Sequence, residues 1–155
     1  MTNAITIRKA TNQDIELIAN YNMRLASETE NKTLDRITVL KGIKAVLHDP
    51  LRGFYLVAEK NDSSKGIIGQ LMITFEWSDW RNKYFWWIQS VYVDQQYRDQ
   101  KVFTSLYQEI MRLVKSNGTV CGLRLYVEEH NESAKKVYKA LGMTKASYEI
   151  YEMSL

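Results

Sequence analysis

Residues 86–115 read WWIQSVYV, DQQYRDQK, VFTSLYQEIMRLVK. The first piece is an apolar run of strand length, the second a polar turn carrying Arg98 and Lys101, and the third places Val102, Leu106, Ile110 and Leu113 on one helical face. A strand that runs through a basic turn straight into a helix aims the helix's first, unpaired N–H groups at the space beyond the strand end. Such a turn is an anion site, so a phosphorylated ligand is the expectation.

Upstream, Ile5 to Lys9 has the pattern of a short strand, and Thr11 followed by Asp14 starts a helix in the manner of a capping box, with Ile15, Ile18, Ala19 and Met23 on one side. That helix is expected to end near Glu28. A second, from about Arg36 to Leu47, is closed by His48, Asp49 and Pro50. From Gly53 the period changes to that of strands: FYLVAEK, a turn at NDSSKG, IIGQLMITFEW, a loop at SDWRN, then YFWWIQSVYV, an antiparallel meander. Downstream of residue 115 come a strand (CGLRLYVE), a helix from about Asn131, and a last strand at SYEIYEM.

The chain has 155 residues and 45% apolar content, enough for one core and one domain over 1–155. Its 21 basic and 18 acidic residues are interleaved, which offers no continuous basic face to a nucleic acid and no basic amphipathic face to a membrane. Charges at Arg8, Lys9, Asp14 and Glu16 interrupt the first segment, and nowhere does an apolar run reach the roughly 18 residues of a membrane span. A soluble, cytoplasmic protein is expected. Cys121, the single cysteine, reads as a small core residue of a strand rather than a nucleophile. His48 lies in a helix-ending turn and His130 has no second ligand at recognisable spacing, so no metal site is expected.

Three stretches resemble the GNAT superfamily of N-acetyltransferases, and the likeness spans essentially the whole chain. SVYVDQQYRDQKVF is similar to the family's acyl-CoA signature, a strand ending V-x-V followed by R-x-x-G-x-G/A. LRLYVEEHNESAKKVYKALGM resembles its later segment, in which Asn precedes an Ala-containing helix bearing a Tyr and then L-G-[FM]. ITFEWSDWRNKYFWWIQSVYV is similar to a bacterial subgroup. The implied fold is α/β, three-layered, with a mixed, mostly antiparallel twisted sheet flanked by helices. One departure stands out: Arg98 matches, but Lys101 and Phe103 occupy the two glycine positions that let backbone approach a pyrophosphate. Lys101 could crowd the phosphates or pair with them as a point charge; the second fits better.

The resemblance implies acetyl transfer from acetyl-CoA to the primary amine of a small, cationic acceptor. The cofactor would run along Val91, Tyr92 and Val93 and over Arg98, Asp99, Gln100, Lys101, Val102 and Phe103, with Asn131 and Lys135 on the later helix. A backbone N–H near Val91 would face the thioester oxygen. Tyr138 falls where the family places a phenol beside the thioester sulfur, a general acid; read from its helical stripe alone it is a core tyrosine, and Asn131 is also a helix N-cap. For the base, Gln89 cannot titrate where some relatives carry a glutamate, which leaves Glu76 first, acting through a water, and Asp79 behind it. Trp77, Trp80, Trp86 and Tyr126, with Glu28, Glu30 and Asp35, are expected about the acceptor, since aromatic walls and carboxylates suit a cation; Trp87, read as sharing a strand face with Phe85 and Val91, is assigned to the core. The alternatives are a non-catalytic acyl-CoA-binding protein of the same fold and, with least support, an interaction module. The last strand could also meet a second copy and form a homodimer.

Overall fold

The computed structural model describes residues 5–61 and 66–155. Strands β1 (Ile5–Lys9), β2 (Gly53–Lys60), β3 (Gly66–Ser78), β4 (Lys83–Val93) and β5 (Val120–Leu125) form one sheet in that order. The first three pairings are antiparallel and β4–β5 is parallel. The parallel pair follows from the connection: α3 (Val102–Ser116) crosses over between β4 and β5, as a parallel pair requires. Helices α1 (Ile15–Glu30) and α2 (Arg36–His48) bridge β1 and β2 and cover the other face, and α4 (Glu132–Ala140) follows β5. The turn expected at 61–66 lies mostly outside the described residues.

Each sheet face has its own core. Leu56, Leu71, Ile73, Trp86 and Ile88 pack on Val102, Leu106 and Ile110 of α3. Tyr55 and Val57, one residue out of phase on β2, pack on Ile15, Ile18, Ala19 and Ile43. Because β2 is covered on both faces, its sequence reads as a nearly unbroken apolar run instead of an alternation.

The start of α1 is fixed as the sequence suggests. A short 3₁₀ turn, Asn12–Asp14, precedes it, with Thr11 and Asp14 forming a capping box. Asp14 accepts from the Thr11 backbone N–H at 2.7 Å and from the two terminal guanidinium nitrogens of Arg8, at 2.8 and 3.0 Å. The Arg8 bond holds the Asp14 carboxyl below its ordinary value of 3.8, against the opposing effect of burial. A depressed carboxyl contributes stability in full above its unfolded value and loses it as pH falls through the folded one. Asp14→Asn is therefore expected to cost about 2–3 kcal/mol near neutrality. The loss should shrink below about pH 4, measured as the gap between wild-type and variant melting temperatures.

Three expectations are corrected. First, residues 143–155 form no strand: beyond Met143 their backbone makes no hydrogen bond to the rest of the described chain, and Tyr148, Ile150, Tyr151, Met153 and Leu155 are exposed. Second, the tryptophans of β4 exchange roles. Trp86 is buried against Phe54 and Phe75, while Trp87 faces the α1–α2 side with Glu76 and Tyr126. The physical reason is a β-bulge: Gln70 pairs with Tyr92 and Met72 with Gln89, so Ser90 and Val91 together oppose Leu71. One extra residue flips the phase, placing Val91 and Val93 on the same side as Trp86 and Ile88. Third, Cys121 is only half-buried, on an edge strand, with its Sγ 3.3 Å from the Tyr84 carbonyl oxygen.

Candidate active site

The bulge coincides with a parting of strands. β5 pairs with β4 only from Tyr84 to Ile88, reaching Leu125, and from Gln89 to Val93 β4 has no β5 partner. An extended molecule can enter that slot and pair with β4 as an added strand would. Ser90 sits at the parting with φ 50°, a left-handed conformation that costs a non-glycine residue about 1 kcal/mol. Its place is held from below: the buried Gln70 amide donates to the Ser90 carbonyl at 3.2 Å and to Asn22 Oδ1 at 2.7 Å. Tyr55, Asn22 and Ser90 line the same cavity wall. Sequence reading missed this polar knot; a lone Gln inside IIGQLMI was its signal.

The turn that the sequence marks as a candidate anion site lies directly beyond. Asp99 and Lys101 both have left-handed backbones, φ 62° and 60°, and Lys101 is the N-cap of α3 without a side-chain cap. The first intrahelical bond is Ser105 N–H to the Lys101 carbonyl, 3.0 Å. The preceding amides of the turn are the donors an anion would use. The start of α3 packs closely on β3: a Cβ on Gly69 would lie 2.8 Å from Val102 Cγ1. The left-handed backbone at Lys101 also supplies the physical reason a glycine suits this position. Lys101→Gly is expected to stabilise the protein by about 0.5–1 kcal/mol, a gain of a few degrees in Tm, measured by thermal unfolding without ligand.

Arg98 turns away from these amides. Its NH2 pairs with Glu28 at 2.6 Å, its Nε donates to the Val93 carbonyl at 3.0 Å, and its guanidinium lies 5.4 Å from the Tyr92 ring centre. Glu28 also accepts from the Tyr92 hydroxyl at 2.8 Å and from Gln95 at 3.1 Å. Burial pushes the Glu28 carboxyl up, but the bonds from Arg98 and Tyr92 outweigh it and hold the group below its ordinary value. Arg98 and Glu28 thus clamp the end of α1 to the turn. Gln100 caps back on the Gln96 carbonyl at 3.0 Å, and Lys101 is exposed.

Helix α4 meets the start of α3 through Tyr138. Asn131 caps it through Oδ1 to Ala134 N–H at 3.1 Å, as the sequence indicates, which leaves its amide nitrogen as a further donor. Lys135 pairs with Glu132 at 2.9 Å. Tyr138 packs edge-on against Phe103, ring centres 5.6 Å apart, and Phe103 packs with Val91 and Val93 in the α3-side core. The Tyr138 ring therefore lies against the first turn of α3. Burial pushes the phenol's pKa up, which keeps it protonated at neutral pH.

On the α1–α2 face lies a cavity of about 520 Å³ that reaches β4 at Ser90. Its walls are mostly aliphatic, including Leu25, Val39 and Ile43; Asn22 and Tyr55 supply polar atoms, and Glu30 and Lys32 also line it. Glu30 pairs with Lys32 at 2.6 Å. Asp35 is the N-cap of α2, accepting from Thr38 N–H. Further along the same sheet face, Gln89 donates to Thr74, then Glu76 accepts from Trp87 Nε1 at 3.0 Å and from Arg124 at 2.7 Å. Arg124 lies 3.6 Å over the Phe85 ring, and Tyr126 stacks on Trp87 at 4.4 Å. Trp77, Asp79 and Trp80 sit at the β3–β4 hairpin, with Trp77 against Tyr84 and Trp80 largely exposed. From Lys83 to Ser90 the strand covers about 23 Å, so the structure does not bring the hairpin group together with the bulge.

This architecture has known counterparts. The acetyltransferase (GNAT) family model matches residues 16–143. A possible acetyltransferase from Clostridium difficile 630 is 43% identical, with TM-score 0.88 and 97% of each chain covered. At 21% identity and TM-score 0.78, a predicted acetyltransferase from Clostridium acetobutylicum, solved with acetyl-CoA, has the same fold over 97% of this chain and 96% of its own. Glucosamine-6-phosphate N-acetyltransferase from Arabidopsis thaliana shares it at 19% identity and TM-score 0.72, over 97% and 98% of the two chains. The comparison with curated proteins gives no match. A family match over residues 16–143, a relative at 43% identity, and a sheet that parts at a bulge beside an uncapped helix lead to one conclusion: the chain belongs to the GNAT family of acetyltransferases.

Proposed function

We propose that the protein transfers the acetyl group of acetyl-CoA to the primary amine of a small cationic acceptor by direct attack on the thioester. The observation that carries this reading is the parting of β4 from β5 beyond Ile88, with the end of β4 that β5 leaves unpaired leading through the 94–101 turn into the uncapped start of α3. That slot would seat the pantetheine arm on the backbone of Val91, Tyr92 and Val93, and the amides of 101–104, with Lys101, would take the pyrophosphate. The acceptor would enter from the α1–α2 face, where the cavity meets Ser90, with Glu30 in its wall. Its mostly aliphatic walls favour an amine on a short apolar body.

The steps balance with residues at hand. The ammonium loses a proton through water to Glu76, the amine nitrogen bonds the thioester carbon, the carbon–sulfur bond breaks as Tyr138 protonates the departing thiolate, and the second proton shed by the acylated nitrogen passes through water to restore the Tyr138 phenol, leaving an amide, a thiol and one proton on Glu76 to be released to solvent. The Val91 N–H would steady the developing oxyanion. Glu76 stands beyond Gln89 and Thr74 with one oxygen on Trp87 and the other on Arg124, so its proton must travel along water rather than pass directly.

The test is thermal unfolding with acetyl-CoA, followed by thiol release with a panel of small amines. At one hundred times Kd the ligand should stabilise the fold by about 2.7 kcal/mol, and thiol release should depend on the amine. Stabilisation without release by any amine would favour a non-catalytic acyl-CoA-binding protein; neither response would remove both readings. In the same assay Lys101→Gly should weaken acetyl-CoA about fivefold if the ammonium pairs with phosphate, whereas a crowding lysine would give tighter binding on removal.

A further inference from the structure

One polar side chain interrupts the buried run from Ile68 to Leu71 of β3. Gln70 is fully buried, and its amide nitrogen donates to two acceptors, Asn22 Oδ1 on α1 at 2.7 Å and the Ser90 carbonyl at 3.2 Å. Turning the amide over would set Oε1 against both of those oxygens, so the two acceptors fix which way it faces. Oε1 is left buried with no donor among the described residues. An apolar side chain of similar volume would avoid that cost. Packing therefore does not account for a glutamine here, whereas its two donated bonds do.

The Ser90 carbonyl belongs to the same peptide unit as the Val91 N–H. That peptide is trans, so the two groups point in opposite directions across it. Ser90 has a left-handed backbone and lies in the bulge, where regular ladder geometry no longer sets the tilt of a peptide. Gln70 sets it instead. With the carbonyl drawn to an amide rooted in β3, the N–H is turned away from β3, toward the side of β4 where β5 has ceased to pair. We propose that Gln70, anchored on Asn22, is a positioning residue that aims the Val91 N–H into the slot, where the thioester oxygen would lie. This role rests on the transferase reading, in which that N–H steadies the oxyanion. Asn22 also lines the acceptor cavity, so a single amide ties the acceptor side of the site to the donor side.

Gln70→Met keeps the volume and removes both donors. Residual dipolar couplings of the ligand-free protein read the direction of the Val91 N–H bond. The Val91 coupling should change in Gln70→Met while those of β1 and β2 stay as in the wild type. An unchanged Val91 coupling overturns the proposal, and so does a change spread over the whole sheet, the mark of a merely structural role. In the thiol-release assay the variant should lose about tenfold or more in kcat, with Kd for acetyl-CoA within about twofold of the wild type. Loss of kcat and binding together, or of neither, overturns it. Asn22→Ala frees the amide to turn and puts a strong helix former into α1. It should show the same change at Val91, and it decides the matter if Gln70→Met does not fold: an undisturbed Val91 overturns the proposal. A wild type that acetylates no amine removes the transferase reading and this role with it, whereas an active wild type whose Val91 coupling ignores both substitutions removes this role alone.

Discussion

Tyr138→Phe is expected to lower kcat about 100-fold or more while leaving the acetyl-CoA-induced rise in Tm within experimental error. The substitution removes one oxygen and keeps the ring. The edge-on contact with Phe103 survives, and with it the packing of α4 against the start of α3. In the proposed function the cofactor would bind through backbone amides at the turn and along β4, none of which the hydroxyl supports. The hydroxyl is valuable only when negative charge develops on sulfur, so the loss should fall on kcat rather than on KM for acetyl-CoA. Burial, which raises this phenol's pKa, keeps its proton available through the neutral range. The wild-type rate should therefore show no basic limb from Tyr138 until well above neutral pH. Equal loss of binding and turnover would make Tyr138 a packing residue, the reading its helical stripe alone suggests.

The order of elements was legible because most of the chain's local signals agree with its global packing. The Thr11–Asp14 box, the Asp35 and Asn131 caps and the period of α3 each lie where a local rule puts them. What escaped was non-local. Strand alternation assigns Trp87 and Val91 to one face only if β4 is regular, and nothing in WWIQSVYV announces that Ser90 is supernumerary. The same bulge makes the slot, so the feature that most shapes the site was the one that period-2 reading could not see. Arg98 shows a different limit. Its match to a motif fixes its place in the chain, yet Glu28, seventy residues earlier, decides where its charge goes. The last strand failed for a third reason: SYEIYEM has the composition of a strand, but pairing needs a partner edge, and a single chain presents that edge without closing on it.

Gly53→Ala should be the most damaging single-methyl change in the described sheet, costing about 3 kcal/mol or more. That corresponds to a fall in Tm of roughly 6–12 °C for a domain of this size. A Cβ built at Gly53 lies 1.9 Å from the Ile73 carbonyl oxygen, 3.0 Å from its carbon and 3.3 Å from the Thr74 Cα. All three are backbone atoms of a central strand, so no side chain can rotate to make room; the strands themselves must part. The residue's φ of 147° lies outside what an L side chain readily adopts, so relief by local rotation is closed as well. Gly118→Ala is the control. Its Cβ meets nothing within 4 Å, and its melting temperature should stay within the change expected of about 0.5 kcal/mol. The injury at Gly53 should also reach the site, because Gly53 pairs with Thr74, whose hydroxyl accepts from Gln89 one residue before the bulge. If β2 is pushed from β3, the acceptor face loses its alignment before the cofactor slot does. KM for the amine should then rise at temperatures where acetyl-CoA still stabilises the variant fully. Parallel loss of both would mean that the sheet yields as one body and that the bulge has no independence from the strand pair behind it.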